Sequence, residues 1–260
     1  MRIPLYQIDA FTDELFHGNP AAVCPLEEWL PDDVMQKIAA ENNLSETAFY
    51  VPSGENFQLR WFTPTTEVDL CGHATLASAY VIAHLRNSRV RRIVFTSRSG
   101  PLAVDIDGER IRLDFPAAPP QSIAPPPGLA AALGFTPAEV WAARNGYLLA
   151  LASTSQVREA LPAAAALMQL EYSAVIVTAA GEDCDFVSRF FAPRLGVLED
   201  PVTGSAHCVL APYWAARLGK NYLRARQCSA RGGELICEAR GERVWIAGKA
   251  AKYLEGVIEI

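Results

Sequence analysis

Two short stretches of this chain carry a pattern suited to binding an anion and moving a proton beside it. Cys71-Gly72-His73-Ala74-Thr75 lies in the first half and Thr203-Gly204-Ser205-Ala206-His207 in the second. Each is followed by an Ala/Leu-rich run and reads as the opening of a helix. A helix N-terminus presents unbonded N–H groups and about half a positive charge. Glycine there lets a ligand approach the backbone closely. Two such ends facing one another across a domain cleft would cradle a substrate carboxylate, or an enolate-like charge as it forms. A plainer reading stands beside this one: Gly72 and Gly204 permit tight turns and Ser205 is an N-cap.

Three ionisable residues flank these turns. Glu46 stands where a helix ends and an apolar strand begins, alternating with Leu44, Ala48 and Tyr50. Desolvation among such neighbours raises a carboxyl pKa, the tuning a carbon-acid base needs near neutral pH. The alternative is a solvent-facing glutamate at a strand edge. Asp200 precedes Pro201 and is therefore held extended, four residues before Gly204. It either points into the same cleft or makes an Asx-type turn. His73 sits in the first turn of its helix, where the dipole disfavours an imidazolium. It either contacts substrate or satisfies a local hydrogen bond.

No metal or cofactor pattern accompanies them. The six cysteines, at 24, 71, 184, 208, 228 and 237, include no C-x-x-C, and the histidines at 17, 73, 84 and 207 form no H-x-x-x-H. Neither spacing fits a metal template, and most of the thiols read as small buried hydrophobes. G-x-G, Walker A and G-x-S-x-G sequences are all missing. An enzyme of this sequence is expected to work without cofactor or metal.

Composition narrows the classes further. The chain has 260 residues, 23 Lys+Arg against 29 Asp+Glu, and half its residues are hydrophobic. The acidic balance with scattered basic residues argues against nucleic acid as a partner. No apolar run approaches the roughly 18 residues of a membrane span, so no membrane partner is expected. The start, MRIPLYQIDAF, has Asp9 where a signal peptide needs an unbroken apolar core. It reads as the first strand of a cytoplasmic protein.

The elements that must position these residues are α and β in alternation. Pro31-Asp32-Asp33 starts a helix with acids in its first turn, ended by Asn42-Asn43. Residues 73–86 and 205–218 have helical apolar periods, with Pro212 expected to kink the second helix or delay its start. Strands are expected at Arg91–Thr96, Leu102–Ile106, Arg110–Phe115 and Val244–Ala247. Six of residues 116–127 are proline. That stretch can neither join a central strand nor continue a helix, and reads as a connector between two domains.

The halves also repeat. Arg60-Trp61-Phe62-Thr63-Pro64 leads to Gly72, and Arg189-Phe190-Phe191-Ala192-Pro193 leads to Gly204. Upstream, Ala48-Phe49-Tyr50-Val51 matches Ala174-Val175-Ile176-Val177 as a strand. Three matches in the same order point to an internal duplication.

Together with Asp9-Ala10-Phe11, Phe16-His17-Gly18-Asn19-Pro20-Ala21, Asn43-Leu44-Ser45-Glu46-Thr47 and Glu199-Asp200-Pro201-Val202, these segments resemble the PhzF-like family, named for a phenazine-biosynthesis isomerase. The resemblance runs essentially end to end, and its short motifs are specific in combination. It implies an α+β architecture: two similar domains of diaminopimelate-epimerase-like fold, each a sheet wrapped around a central helix. The boundaries would be 1–118 and 119–260, with the last strand, about 251–260, packing back on the first domain. It also implies a cofactor-independent isomerase that shifts a proton between carbons of a small carboxylate-bearing substrate, with the active site between the domains, and a homodimer.

By position, Glu46 matches that family's acid/base. His73, Asp200 and Ser205 match groups that bind substrate, Gly72 and Gly204 match the helix-end donors, and Asn19 joins the substrate-binding set. Cys71 departs from the phenazine enzyme's pattern. It lies where epimerases of this fold keep one of two catalytic cysteines, with Thr203 at the other position. A Thr hydroxyl is too weak an acid for that role. An epimerase or racemase using Cys71 and Glu46, and a non-catalytic small-molecule-binding or interaction protein, are the alternatives.

Overall fold

The computed structural model describes residues 1–87, 89–143 and 146–260. They form two compact units, Met1–Phe115 with Ile246–Ile260, and Pro116–Trp245. No helix among the described residues is long and apolar enough to cross a membrane.

In the first unit, strand Arg2–Ala10 pairs antiparallel with both Asn19–Pro25 and Ala250–Glu259. Asn19–Pro25 runs parallel to Glu46–Ser53, which pairs antiparallel with Asn56–Phe62. That strand lies parallel to Arg92–Ser97, and the meander continues through Gly100–Asp107 to Arg110–Pro116. The expected strands in this region are therefore present, shifted by a residue or two at their ends.

The second unit repeats this order. Gly146–Ala150 runs parallel to Ala174–Ala180, antiparallel to it lies Phe186–Ala192, and that strand is parallel to Tyr222–Gln227 and followed by Gly233–Arg240. The register sharpens the duplication. Arg60 faces Phe49, and Arg189 faces Val177. Aligning the two arginines thus aligns Phe49 with Val177 and Glu46 with Ala174. The expected match of Val51 to Val177 is two residues off. A slip of two leaves every side chain on its original face, so the hydrophobic pattern could not register it. By the same pairing, Trp61 faces Val68 and Phe190 faces Asp200, which makes Val68 the counterpart of Asp200.

The helices that start at the two Gly turns are central. Gly72–Tyr80 is buried at every residue from His73 to Ala79, and continues as a π-helical turn, Val81–Arg86. Burial on all sides is the mark of a helix surrounded by its own sheet. Gly204–Leu218 is likewise buried from Ala206 to Ala211 and again at Tyr213–Ala215. Trp214 stacks on Phe186 and donates through Nε1 to Thr178 Oγ1 at 2.9 Å.

Pro212 lies within this helix, which begins at Gly204 and not later. Proline has no N–H to give the carbonyl four residues back. That carbonyl, of Cys208, instead accepts the N–H of Ala118 at 3.0 Å. The Pro-rich stretch is ordered at this point, and its Gln121–Ser122 pair with Trp141 and Ala142. Proline on either side limits the pairing to a two-residue edge.

The first helix, Asp32–Asn42, ends as its sequence predicts: Asn43 adopts the left-handed conformation at φ 49°. Its Met35, Ile38 and Ala39 pack on Phe49, Val51 and Phe62, which brings Glu46 into position one turn before that cluster.

One ion pair recurs at the same place in both units. Arg60 holds Glu67 through Nε and Nη2, each at 2.7 Å. Arg189 holds Glu199 at 2.6 and 2.9 Å. In each unit it clamps the strand that leads into the Gly turn.

Candidate active site

In the first unit the fold gathers four of the expected residues. Gly18 turns the chain into the Asn19 strand at φ +66°, and a Cβ there would lie 2.2 Å from the Ala10 carbonyl oxygen, so only glycine fits. The turn is closed by Asp9, whose Oδ2 accepts the N–H of Phe16 at 3.1 Å. Asn19 thereby enters the core fully buried, with Nδ2 3.3 Å from His73 Nδ1. The thiol of Cys71, the N-cap residue of the Gly72 helix, approaches the same nitrogen at 3.5 Å.

On the other ring nitrogen, Nε2, lies Glu46 Oε2 at 3.2 Å, without hydrogen-bond alignment. The glutamate opens its strand half-buried, with 18% of its side chain exposed and Oε2 itself buried. The strand itself does not alternate: Thr47 to Val51 are all buried, on both faces.

These contacts fix the state of His73. Burial pushes its pKa down to about 3, so the ring is neutral at physiological pH. Desolvation is the cause. An amide NH2 only donates. With Asn19 as donor, Nδ1 accepts and the ring hydrogen sits on Nε2, directed at the side of Glu46. Glu46 is thus held beside a neutral N–H carried on the first turn of the Gly72 helix.

Glu46, Cys71 and His73 each offer a ligand atom within 4.8 Å of the others. Sequence spacing gave no hint of this cluster, because the strand and the helix that bear it meet only in the fold. The thiol and the carboxylate contact different nitrogens of one ring.

The second unit holds the remaining residues. Thr203, not Ser205, is the N-cap of the Gly204 helix, so the N-cap reading of Ser205 is corrected. Ser205 is exposed, while Gly204 and Ala206 on either side are buried. A first-turn hydroxyl facing solvent beside free amides is placed to meet a ligand. Asp200 ends its strand, and its Oδ2 accepts the Thr203 hydroxyl at 2.5 Å. Gln227, fully buried, completes the group: its Oε1 accepts the Thr203 N–H at 2.9 Å, and its Nε2 donates to the Asp200 carbonyl at 2.7 Å and to Thr203 Oγ1 at 3.2 Å. Nothing in the sequence around Gln227 singles it out, since its partners lie more than twenty residues away.

The same helix carries His207, buried against Phe186 and donating through Nδ1 to the Thr203 carbonyl at 2.8 Å. Burial lowers its pKa to about 4, against the smaller opposing effect of that hydrogen bond. The folded pKa lies below the unfolded value near 6.5. Stability is therefore complete above pH 6.5 and is lost as pH falls toward 4, by about 1.4 kcal/mol per unit within that window. Urea unfolding at pH 7.5 and 5 checks this: the midpoint should drop on acidification, and drop less in His207→Gln. An equal drop in the variant would assign the effect to other groups.

Comparison with known proteins gives a consistent result. The PhzC-PhzF family, described as phenazine biosynthesis-like protein, matches residues 8–256. The chain is 52% identical over 260 residues to an uncharacterized isomerase of Pseudomonas aeruginosa, covering all of both chains. It is 48% identical to a phenazine biosynthesis protein of the PhzF family from Enterococcus faecalis, whose crystal structure it matches at a TM-score of 0.97 over both full lengths. A hydroxyproline epimerase from Agrobacterium vitis shares the fold alone, at 9% identity and a TM-score of 0.62, over 99% of this chain and 92% of that one. The architecture is thus the α+β, epimerase-like one.

Proposed function

Because this chain belongs to the PhzC-PhzF family of phenazine biosynthesis-like proteins and is an isomerase, we propose that it shifts a proton between carbons of a small carboxylate-bearing substrate, with Glu46 as acid and base. One observation carries the assignment. Glu46 is a half-buried carboxylate held 3.2 Å from a neutral, buried imidazole whose own orientation is set by Asn19. A neutral neighbour does not lock the carboxylate into its charged form as a cation would, so it can take a proton and return it.

His73 orients Glu46, and the amides that open the Gly72 helix stabilise the charge that develops on substrate. In the second unit, Asp200, Gly204 and Ser205 bind and orient the same substrate.

The test is conversion in D2O of a carboxylic acid captured by the protein from a metabolite extract. Deuterium should enter a carbon position in the wild type. An acid converted equally well by the wild type and by Glu46→Gln, without incorporation in either, would sink the reading. Conversion should also survive prolonged EDTA treatment, since a proton carried by the Glu46 carboxylate needs no ion. Loss of activity restored by one divalent ion would refute that part.

A second reading has its own support. Cys71 Sγ lies with Glu46 and His73 in one cluster at the N-cap of the Gly72 helix. An epimerase using Cys71 and Glu46 would lose exchange in Cys71→Ser and not only in Glu46→Gln.

A further inference from the structure

We infer that Gln227 is a positioning residue: it dictates the direction of the hydrogen bond from Thr203 to Asp200 and so presents Asp200 as a fixed acceptor toward substrate. The inference rests on the reading of Asp200 as a substrate-orienting group, and it deepens that reading.

The argument is one of counting hydrogens. A backbone N–H can only donate, so the Gln227 atom that faces the Thr203 N–H at 2.9 Å must be the amide oxygen. The other end of the same amide is then NH2, with two hydrogens. One goes to the Asp200 carbonyl at 2.7 Å and the other to Thr203 Oγ1 at 3.2 Å. The Thr203 hydroxyl, already receiving a hydrogen, keeps one of its own to give. Its remaining neighbour is Asp200 Oδ2 at 2.5 Å. The chain of donors therefore runs Gln227 to Thr203 to Asp200 in one sense only.

Burial makes the order strict. Gln227 has no exposed surface, and Thr203 is buried as well, so water does not compete for these hydrogens. A charge-assisted bond of this kind favours the ionised carboxylate. It also leaves the second carboxylate oxygen, Oδ1, turned away from the hydroxyl.

The duplication shows that the device is particular to this half. Phe57 pairs with Phe95 in the first unit and Phe186 with Ala225 in the second. With Arg60 aligned on Arg189, Phe57 matches Phe186, so Ser97 stands where the second unit has Gln227. Likewise Val68 stands for Asp200 and Cys71 for Thr203. All three members of the network are replaced together in the half that lacks the aspartate. A residue needed only to close the turn would have no reason to change with it.

The test uses the full chain with 13C-labelled aspartate and needs no substrate. The carboxyl carbon of Asp200, assigned by its loss in Asp200→Asn, is titrated by NMR. Thr203→Val removes the donor while leaving Gln227 packed, and should raise the Asp200 midpoint by about one unit or more. Gln227→Met, close in shape but without hydrogens to give, should raise it by roughly half as much. Thr203→Ser keeps the hydroxyl and should titrate like the wild type. Thermal melting of each variant shows that it is folded at the titration temperature.

A midpoint that moves in Thr203→Val and stays put in Gln227→Met would overturn the role of Gln227. A midpoint that moves in neither would overturn the whole network. Whether Asp200 serves substrate is a separate result, read from turnover in Asp200→Asn. A null there would remove the reading of Asp200 without touching the titration.

Discussion

Glu46→Gln lowers kcat by about 10²–10⁴-fold while substrate still binds, the range general acid/base assistance typically contributes. The substitution keeps the shape of the side chain and its place at the head of the strand. It removes only the ability to hold and release a proton. His73 stays neutral in the variant, since its state comes from burial and from Asn19, neither of which changes. The substrate contacts proposed for Gly72, Asp200, Gly204 and Ser205 are untouched as well, so KM should move little. Exchange of carbon-bound substrate hydrogen with D2O should stop along with turnover, because both need the same proton carrier. A variant with near-normal turnover would remove Glu46 from the chemistry. Asp200, which the Thr203 hydroxyl already engages, or Cys71, beside His73, would then be the next candidates. His73→Gln offers a graded comparison: it removes the neighbour that orients Glu46 but leaves the carboxylate, and should reduce kcat less than Glu46→Gln does.

Parts of this arrangement were readable in the sequence because they are local. Asp32 and Asp33 opening a helix, Asn43 closing it, and glycine before each central helix are short-range signals, and the structure carries each of them. Glu46 was also readable, as a carboxylate at the head of an apolar strand. Its partner was not, because Glu46 and His73 are brought together by parallel pairing with the Asn19 strand and by the helix packed on it. The neutral state of His73 was anticipated from its place at a helix N-terminus; the complete burial that lowers its pKa was not. Pro212 misled for a similar reason. Its breaking effect is a local rule, and the carbonyl it leaves open is satisfied from Ala118, ninety residues upstream by sequence. Gln227 had no signal at all, since a glutamine at a strand end is ordinary until its three partners are known. The duplication was visible as a pattern, yet its register was not, because a shift of two preserves the faces of every strand.

That register has a consequence for stability. It makes Arg60–Glu67 and Arg189–Glu199 the same ion pair in two copies, and the copies differ in shelter. Arg189 has 8% of its side chain exposed and Arg60 has 18%. Arg189 also gives hydrogens to the carbonyls of Arg158 at 2.9 Å and Ala160 at 2.6 Å, tying the Thr154–Glu159 helix to the strand that leads to Asp200. Glu67 has a second cation, Arg98, at 2.7 Å; Glu199 has none among the described residues. Replacing Arg189 by Met should therefore destabilise the protein by about 1.5–3 kcal/mol, because the half-buried Glu199 loses its cation and the carbonyls of Arg158 and Ala160 lose their donor. Arg60→Met should have a clearly smaller effect, because Glu67 keeps Arg98 at 2.7 Å. The double variant Arg189→Met/Glu199→Met separates the stranded charge from the lost packing: it should recover much of the loss, since two apolar side chains leave no charge unpaired. Urea unfolding of the four proteins gives the result directly. An Arg60→Met effect equal to or larger than that of Arg189→Met would show that shelter does not set the strength of this pair. A double variant no better than the single one would show that the hydrogen bonds to the Arg158 and Ala160 carbonyls, and not the pairing of Glu199, are what the arginine provides.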